Sequence, residues 1–523
     1  MRYFLLILGI VISVTSLSAQ DIGQHKYLVT FHAKCHEHAF DPQTFFHPNA
    51  LQRRLREGLP LNDESDLPVC NHQTDPVEAC GAKIKMLSRW FNAAVVWATA
   101  EQINAISALP KVAAVEQLEA LELEIAASEA LTDDDDLELL DKQVRRMGSE
   151  FIESEGLNGK GLRIAIFDVG FSGADRNPAF DHFRASNRIV QTWDFVKNRA
   201  DVYLGGSHGT SVWSCIGGKV DGKWSGLAWD AEFLLARTEL AKREPFSEEE
   251  NWVAAAEWAD KHGADIINSS LGYTDKRYFP EQMNGKKSFI SRGANIAARK
   301  GLLVVNAAGN EGSGAWRIIG APADADSVLT VGGVQPCCDY RIEFSSYGPT
   351  ADKRLKPNVC AQGRVFCASE SGNSSADGTS FASPLMAGFA ACMWQKDRNM
   401  KAMEVFKEIE KAGHLYPYFD YAHGYGIPHA ERFKKQVENP EYFKFERNVT
   451  GSEISVMLND SIAETDSPQL LYYELVRSDG LLESYYTMQV TEQIPLRIET
   501  AMMGNTKLRV HYRGQTAEIQ INP

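Results

Sequence analysis

A serine, a histidine and an aspartate, each in a local setting suited to chemistry, are the starting points in this 523-residue sequence. Ser380 lies in Gly378-Thr379-Ser380-Phe381-Ala382-Ser383-Pro384, followed by an apolar run over 385–394. A segment apolar on every side predicts a helix buried in a domain centre. Ser380 then sits at the helix N-terminus, where unpaired N–H groups and the dipole favour developing negative charge, as a serine nucleophile requires. Such a nucleophile needs a base. Ser207-His208-Gly209-Thr210 places a histidine ahead of a short apolar helix, with Gly209 keeping the backbone open. Asp168 ends an apolar strand over 162–167, and catalytic groups in open α/β sheets gather at the carboxyl ends of strands. Asn310, in Asn306-Ala-Ala-Gly-Asn310 directly after another apolar strand, carries an amide able to donate to an oxyanion. Singly, these residues also read as an N-cap, a satisfied histidine, a turn aspartate and a Gly-Asn turn. Together, in the order Asp168, His208, Asn310, Ser380, they point to acyl transfer by an activated serine.

The elements that must position them alternate. Between 140 and 435, short apolar strands at 162–167, 233–236, 266–268, 302–306 and 328–331 are separated by helix-like segments. One of these, 248–262, carries Trp252, Ala255, Ala256 and Ala259 on one face. This pattern predicts a parallel sheet covered on both faces. Residues 21–125 read as a small α/β unit, with a strand at 27–31, a basic helical stretch at 49–57, extended chain at 83–98, a helix at 99–109 and a last strand at 112–118. The acidic run 131–137 suits a solvated linker. From about 440, alternating segments at 454–458, 470–476, 485–490, 496–500, 508–512 and 517–521 predict a small antiparallel β-sandwich.

Five pieces, Ile166-Phe-Asp-Val-Gly170, His208-Gly-Thr210, Asn268-Ser-Ser-Leu-Gly272, Ala307-Ala-Gly-Asn310 and Gly378-Thr-Ser-Phe-Ala-Ser-Pro384, together resemble the subtilisin-like serine peptidases (the subtilase family) over about 150–400. The resemblance implies an α/β, subtilisin-like three-layer parallel-sheet catalytic domain at 141–435. A small α/β propeptide domain (20–125) and an acidic linker and processing region (126–140) would precede it, and a small all-β, sandwich-like C-terminal domain (440–523) would follow. By the same resemblance Ser380 attacks the scissile carbonyl, His208 relays the proton and Asp168 orients the imidazole. The Asn310 amide and the Ser380 N–H would bind the oxyanion. Ser270, Leu271 and Gly272 would pair with an extended substrate, and Gly320, with Ala321 and Pro322, would line the floor of the primary pocket. The family reading is a secreted serine endopeptidase with an acyl-enzyme intermediate, made as an autoprocessed zymogen. Its partners would be protein or peptide substrates and its own propeptide as intramolecular inhibitor. Departures from the family pattern are Val169 after the aspartate, Tyr273 in place of a second glycine after Ser-Leu-Gly, and a divergent 356–363 loop, all bearing on substrate preference. No catalytic metal is required by this reading. Structural calcium, which relatives often carry, is not identifiable, because Asp133–Asp136 lack the alternation and glycine of a calcium loop.

Residues 1–19 predict a signal peptide: one basic residue, an apolar core and small residues before a cut near Ala19. That core is shorter than the ~20 residues that cross hydrocarbon. A secreted or periplasmic protein without stable membrane insertion is the expectation. The net charge of −15 argues against a nucleic-acid partner. Export permits disulfides among the nine cysteines, whose odd number implies a free thiol or an intermolecular bond. Cys360 and Cys367, flanking a Gly-containing loop, could pair, and an inert buried role fits each equally well. A competing reading is a secreted binding or adhesion protein that uses the C-terminal β domain, with an incidental peptidase core.

Overall fold

The computed structural model describes residues 23–36, 40–118, 136–241, 244–275, 277–434, 443–447, 453–458, 469–490, 496–499 and 506–521. The expected signal peptide and most of the expected linker lie outside them. Among them the chain forms two compact units, the first from residues up to Cys35 and from Leu67 to Ala120, the second from His36–Asp66 and from Leu121 onward.

In the first unit an antiparallel sheet runs in the order Lys83–Ser88, Ala93–Ala98, His25–Phe31, Val112–Leu118. The stretch 83–98, expected as continuous extended chain, is a hairpin that turns through Asn92, whose φ of 49° is left-handed. Helices Asn71–Ala79 and Ala100–Ser107 accompany the sheet, and Tyr27, Val29, Val77, Val96 and Ile106 share one core. Thr99 and Gln102 close the second helix with reciprocal bonds of 3.3 and 2.8 Å, a capping box. A disulfide joins Cys35 to Cys70.

The second unit is built on a seven-stranded parallel sheet. Its order is Val359–Gln362, Val328–Val334, Leu303–Ala307, Ile266–Ser269, Arg163–Asp168, Glu232–Arg237, Ile189–Asp194. The helix Thr379–Lys396 is buried from Phe381 to Trp394, which is why its sequence shows no polar face. On it packs the helix His208–Gly217, and a Cβ at Gly388 would lie 2.7 Å from the Ile216 carbonyl oxygen. Helix Ser247–Lys261 buries Trp252, Ala255, Ala256 and Ala259 as the sequence pattern requires.

The pairing of Cys360 with Cys367 is corrected: both thiols are free. Cys360 belongs to a strand of the main sheet and donates to the His423 carbonyl (3.3 Å), whereas Cys367 lies in the hairpin Arg364–Ala368/Asn373–Asp377. Each is fixed by its own strand.

At the C-terminal end, a three-stranded sheet (Phe443–Arg447, Glu453–Leu458, Leu496–Glu499) and a four-stranded sheet (Leu482–Gln489, Leu470–Arg477, Thr506–Tyr512, Gln515–Ile521) are both antiparallel. Ile454 and Val456 of one share a core with Leu471, Leu475, Leu508 and Val510 of the other. Leu470 and Tyr472 pack in turn on Leu415 and Tyr418, so the β layer is continuous with the larger unit.

Candidate active site

The carboxyl edge of the parallel sheet carries the site. Asp168, the last residue of its strand, is buried, and its Oδ1 accepts from the Val169 amide (2.8 Å). His208 begins its helix and brings Nδ1 to 2.9 and 3.0 Å from the two Asp168 oxygens. This approach depends on Gly209, whose N–H donates to the Gly170 carbonyl at 3.1 Å. A Cβ there would come within 2.4 Å of that oxygen. Burial alone pushes the His208 imidazole down, but the charge and hydrogen bond of Asp168 outweigh it and leave the pKa raised.

Across the cleft, the His208 ring is 5.6 Å from that of Phe381, the residue after Ser380. The Ser380 hydroxyl donates to the Ser270 carbonyl (3.2 Å), while Ser270 Oγ donates to the Ser380 carbonyl (2.8 Å). Asn310 Oδ1 accepts from both the amide and the hydroxyl of Thr379, each at 2.9 Å. With its oxygen so held, the side chain directs Nδ2 toward the start of the Ser380 helix, 3.5 Å from where a Gly378 Cβ would stand. Gly378, at φ +153°, leaves that space open.

One cleft of about 540 Å³ is lined by His208, Ser270, Leu271, Gly272, Asn310, Gly320 and Ser380, among others. Tyr273 exchanges backbone hydrogen bonds of 2.9 and 3.0 Å with Ala321, which fixes the Ser270–Gly272 wall against the Gly320 segment. Asn306 Nδ2 braces the Leu271 carbonyl from behind (3.0 Å). Of the residues singled out in the sequence, His208, Ser270, Leu271, Gly272, Asn310, Gly320 and Ser380 line this cleft and Asp168 joins it through His208, whereas Ala321 and Pro322 are not part of its lining.

Thr379, within the motif of Ser380, holds Asn310 in place, a contact that the motif itself did not reveal. Other lining residues belong to no motif. Glu239, Glu244 and Glu311 also line the cleft. Burial, together with the charges of Glu248, Asp168 and Glu244, pushes Glu239 well above the usual carboxylate range. Burial likewise raises Glu311, partly opposed by a hydrogen bond from Ser346. Glu239 stands two residues past the strand Glu232–Arg237, so the carboxyl-edge rule pointed to it as it did to Asp168. Among the described residues, the potential metal-ligand atoms that cluster are those of Cys35, Cys70 and His72, and the two sulfurs there are joined to each other.

A buried carboxylate on a histidine, a serine at a helix N-terminus and an oriented amide meet at one cleft, and these are the groups that serine hydrolases of the triad type use. Residues 159–426 match the subtilase family, and residues 26–133 match the peptidase S8 propeptide domain of Bacteroidota. The chain belongs to the subtilase family. It is 27% identical over 289 residues to serine protease AprX of Bacillus subtilis (strain 168), an alignment covering 49% of this chain and 62% of that protein. It is 28% identical over 257 residues to subtilisin DY of Bacillus licheniformis, covering 49% of this chain and 84% of that one. A solved cold-adapted subtilisin-like serine proteinase aligns with 57% of this chain and 97% of its own at 20% identity, with a TM-score of 0.43.

Proposed function

We propose that this chain is an exported serine endopeptidase, synthesised as a zymogen and activated by cleavage between its propeptide and catalytic regions. The observation that carries the proposal is the Asp168–His208 pair at 2.9 Å in the cleft that also holds Ser380 and Asn310. Neutral His208 takes the Ser380 proton as Oγ attacks the peptide carbonyl, and the imidazolium so formed rests against Asp168. Asn310 Nδ2 and the first N–H groups of the Ser380 helix receive the oxyanion. The imidazolium then protonates the leaving amine, and a water deprotonated by His208 releases the acyl group. Extended polypeptide suits this cleft, since the Ser270–Gly272 wall offers backbone groups for strand addition. Export is supported by the N-terminal sequence, and among the described residues no helix is long and apolar enough to cross a membrane.

The packing of Leu470 and Tyr472 on Leu415 and Tyr418 supports a bracing role for the C-terminal sheets over that of an independent adhesion module. The test compares wild type with Ser380→Ala. Wild type is expected to take up a fluorophosphonate label, hydrolyse casein and shorten itself from the N-terminus, and Ser380→Ala to do none of these. Equal casein hydrolysis by the two proteins would overturn the assignment.

A further inference from the structure

Residues 36–66 stand within the stretch that matches the propeptide domain, yet they fold with the catalytic unit. They contribute the helices Pro42–Phe45 and Pro48–Glu57 and a 3-10 turn at Glu64–Asp66. Arg53 is fully buried. Its Nε donates to the Lys300 carbonyl (3.1 Å), its Nη2 to the Asp260 carbonyl (3.2 Å), its Nη1 to the Ala264 carbonyl, and it pairs with the Asp260 carboxylate. One guanidinium therefore serves carbonyls at the C-terminal ends of two helices, Ser247–Lys261 and Phe289–Arg299, where a cation is favoured.

The charges interlock in both directions. Arg54 bonds Asp260 Oδ2 at 3.0 Å and Asp66 at 3.2 Å, and Arg56 reaches Asp265 at 3.1 Å. Lys300, from the catalytic side, donates back to Asp63 (2.8 Å) and Asp66 (3.0 Å). Glu57 accepts from the Ala402 amide at 2.8 Å, and Lys261 offers its carbonyl to the His47 amide at 2.9 Å. Contact is close enough that a Cβ at Gly301 would stand 2.3 Å from Glu57 Cγ. Asp265 also accepts from the amide of Arg163, the first residue of the strand that Asp168 ends. This surface therefore lies at the opposite edge of the sheet from the cleft, about 17 Å away at 3.3 Å per residue.

We infer that the paired helix ends around Asp260 and Lys300 are a receptor for residues 36–66 of the chain's own N-terminal part, which keeps the severed propeptide fragment bound after processing. This deepens the zymogen reading and rests on it for the cut itself. The clasp alone would then hold the fragment, because it is buried, little screened by salt and remote from the chemistry. The rest of the propeptide, joined to the clasp through Cys35 and Leu67, stays at high effective concentration. Full release requires cutting the neck on both sides of the clasp.

The test uses the full chain bearing Ser380→Ala and a recognition site for a site-specific protease placed within 126–135. After cutting, the N-terminal fragment is expected to co-elute with the catalytic fragment in gel filtration, at low salt and at 1 M salt alike. The double variant Arg53→Met/Arg54→Met, which leaves every catalytic-side residue intact, is expected to bind the fragment at least about 100-fold more weakly. Separate elution of the wild-type fragment would overturn the inference, whether or not the double variant folds. So would unchanged retention in a folded double variant. If the native, Ser380-containing chain is never cut between 119 and 140, the zymogen reading fails while the clasp, measured through the engineered cut, stands.

Discussion

Removing the Asn310 amide isolates the oxyanion contribution, and the structure supplies the control. Loss of one donor from such a hole costs on the order of 100–1,000-fold in turnover, about 2.7–4 kcal/mol, a range itself established on a subtilisin. Asn310→Ala is expected to lower kcat by that factor with KM nearly unchanged, because the donor meets charge that exists only in the transition state. Thr379 acts on this donor indirectly. Its hydroxyl supplies one of the two hydrogen bonds that hold Asn310 Oδ1 and accepts the Gly309 amide at 3.1 Å. Thr379→Val removes both hydroxyl bonds, but only the one to Asn310, a neutral bond of about 1 kcal/mol, bears on the donor, and the backbone bond to Asn310 stays in place, so a loss of about fivefold is expected. Since Thr379 works through Asn310, the double variant should be no slower than Asn310→Ala alone. Steady-state hydrolysis of a chromogenic peptide gives all three ratios. Multiplicative losses, or an Asn310→Ala enzyme within tenfold of wild type, would refute the reasoning.

The raised pKa of His208 means that the base is still partly protonated above pH 6.5, so the acid limb of kcat/KM should fall above that value. In Asp168→Asn burial, which lowers the imidazole pKa, is opposed only by the smaller influence of Cys367, so the limb should move to lower pH while the rate drops on the order of 10⁴-fold. Gly209→Ala drives a methyl into the Gly170 carbonyl. It should cost about 1–3 kcal/mol in denaturant unfolding and disturb the triad as well. The Cys35–Cys70 bond spans 35 residues of sequence. Its removal by Cys35→Ser should destabilise the propeptide-like unit by about 3–4 kcal/mol in thermal melts of the Ser380→Ala precursor.

Much of the site was legible because its chemistry is local. Asp168 at a strand end, His208 ahead of a helix and Ser380 at the start of an all-apolar helix each announce their geometry within about ten residues. The parallel sheet was legible for the same reason in its central strands, which are fully buried. The edge strand Ile189–Asp194 escaped notice because it is half-exposed and mixes Gln and Thr with Ile and Val, and Val359–Gln362 because 356–363 reads as a loop, with Pro357 before it and Gly363 after it. The clasp was illegible in kind. Arg53, Arg54 and Arg56 look like a solvated basic face, and their burial depends on Asp260 and Asp265, about two hundred residues away in sequence. No periodicity records such a pairing. The orienting role of Thr379 was hidden likewise, since a threonine at a helix start is ordinary until its hydroxyl is seen on Asn310.

The packing of the Ser380 helix against the His208 helix has a kinetic consequence. The two catalytic groups are 172 positions apart (208 to 380), and their meeting waits on parallel strand pairings of long sequence separation, the kind that close slowly. A partly collapsed chain can hold the Asp168 strand beside its neighbours and still have no nucleophile in reach. Proteolytic competence would therefore wait on the last of these pairings, and chain emerging from synthesis would not be digested by its own half-formed kin. The same delay leaves the unfinished sheet exposed for longer. A folded N-terminal partner whose helix already fits the ends of Ser247–Lys261 and Phe289–Arg299 would shorten that interval by holding two of the elements in register.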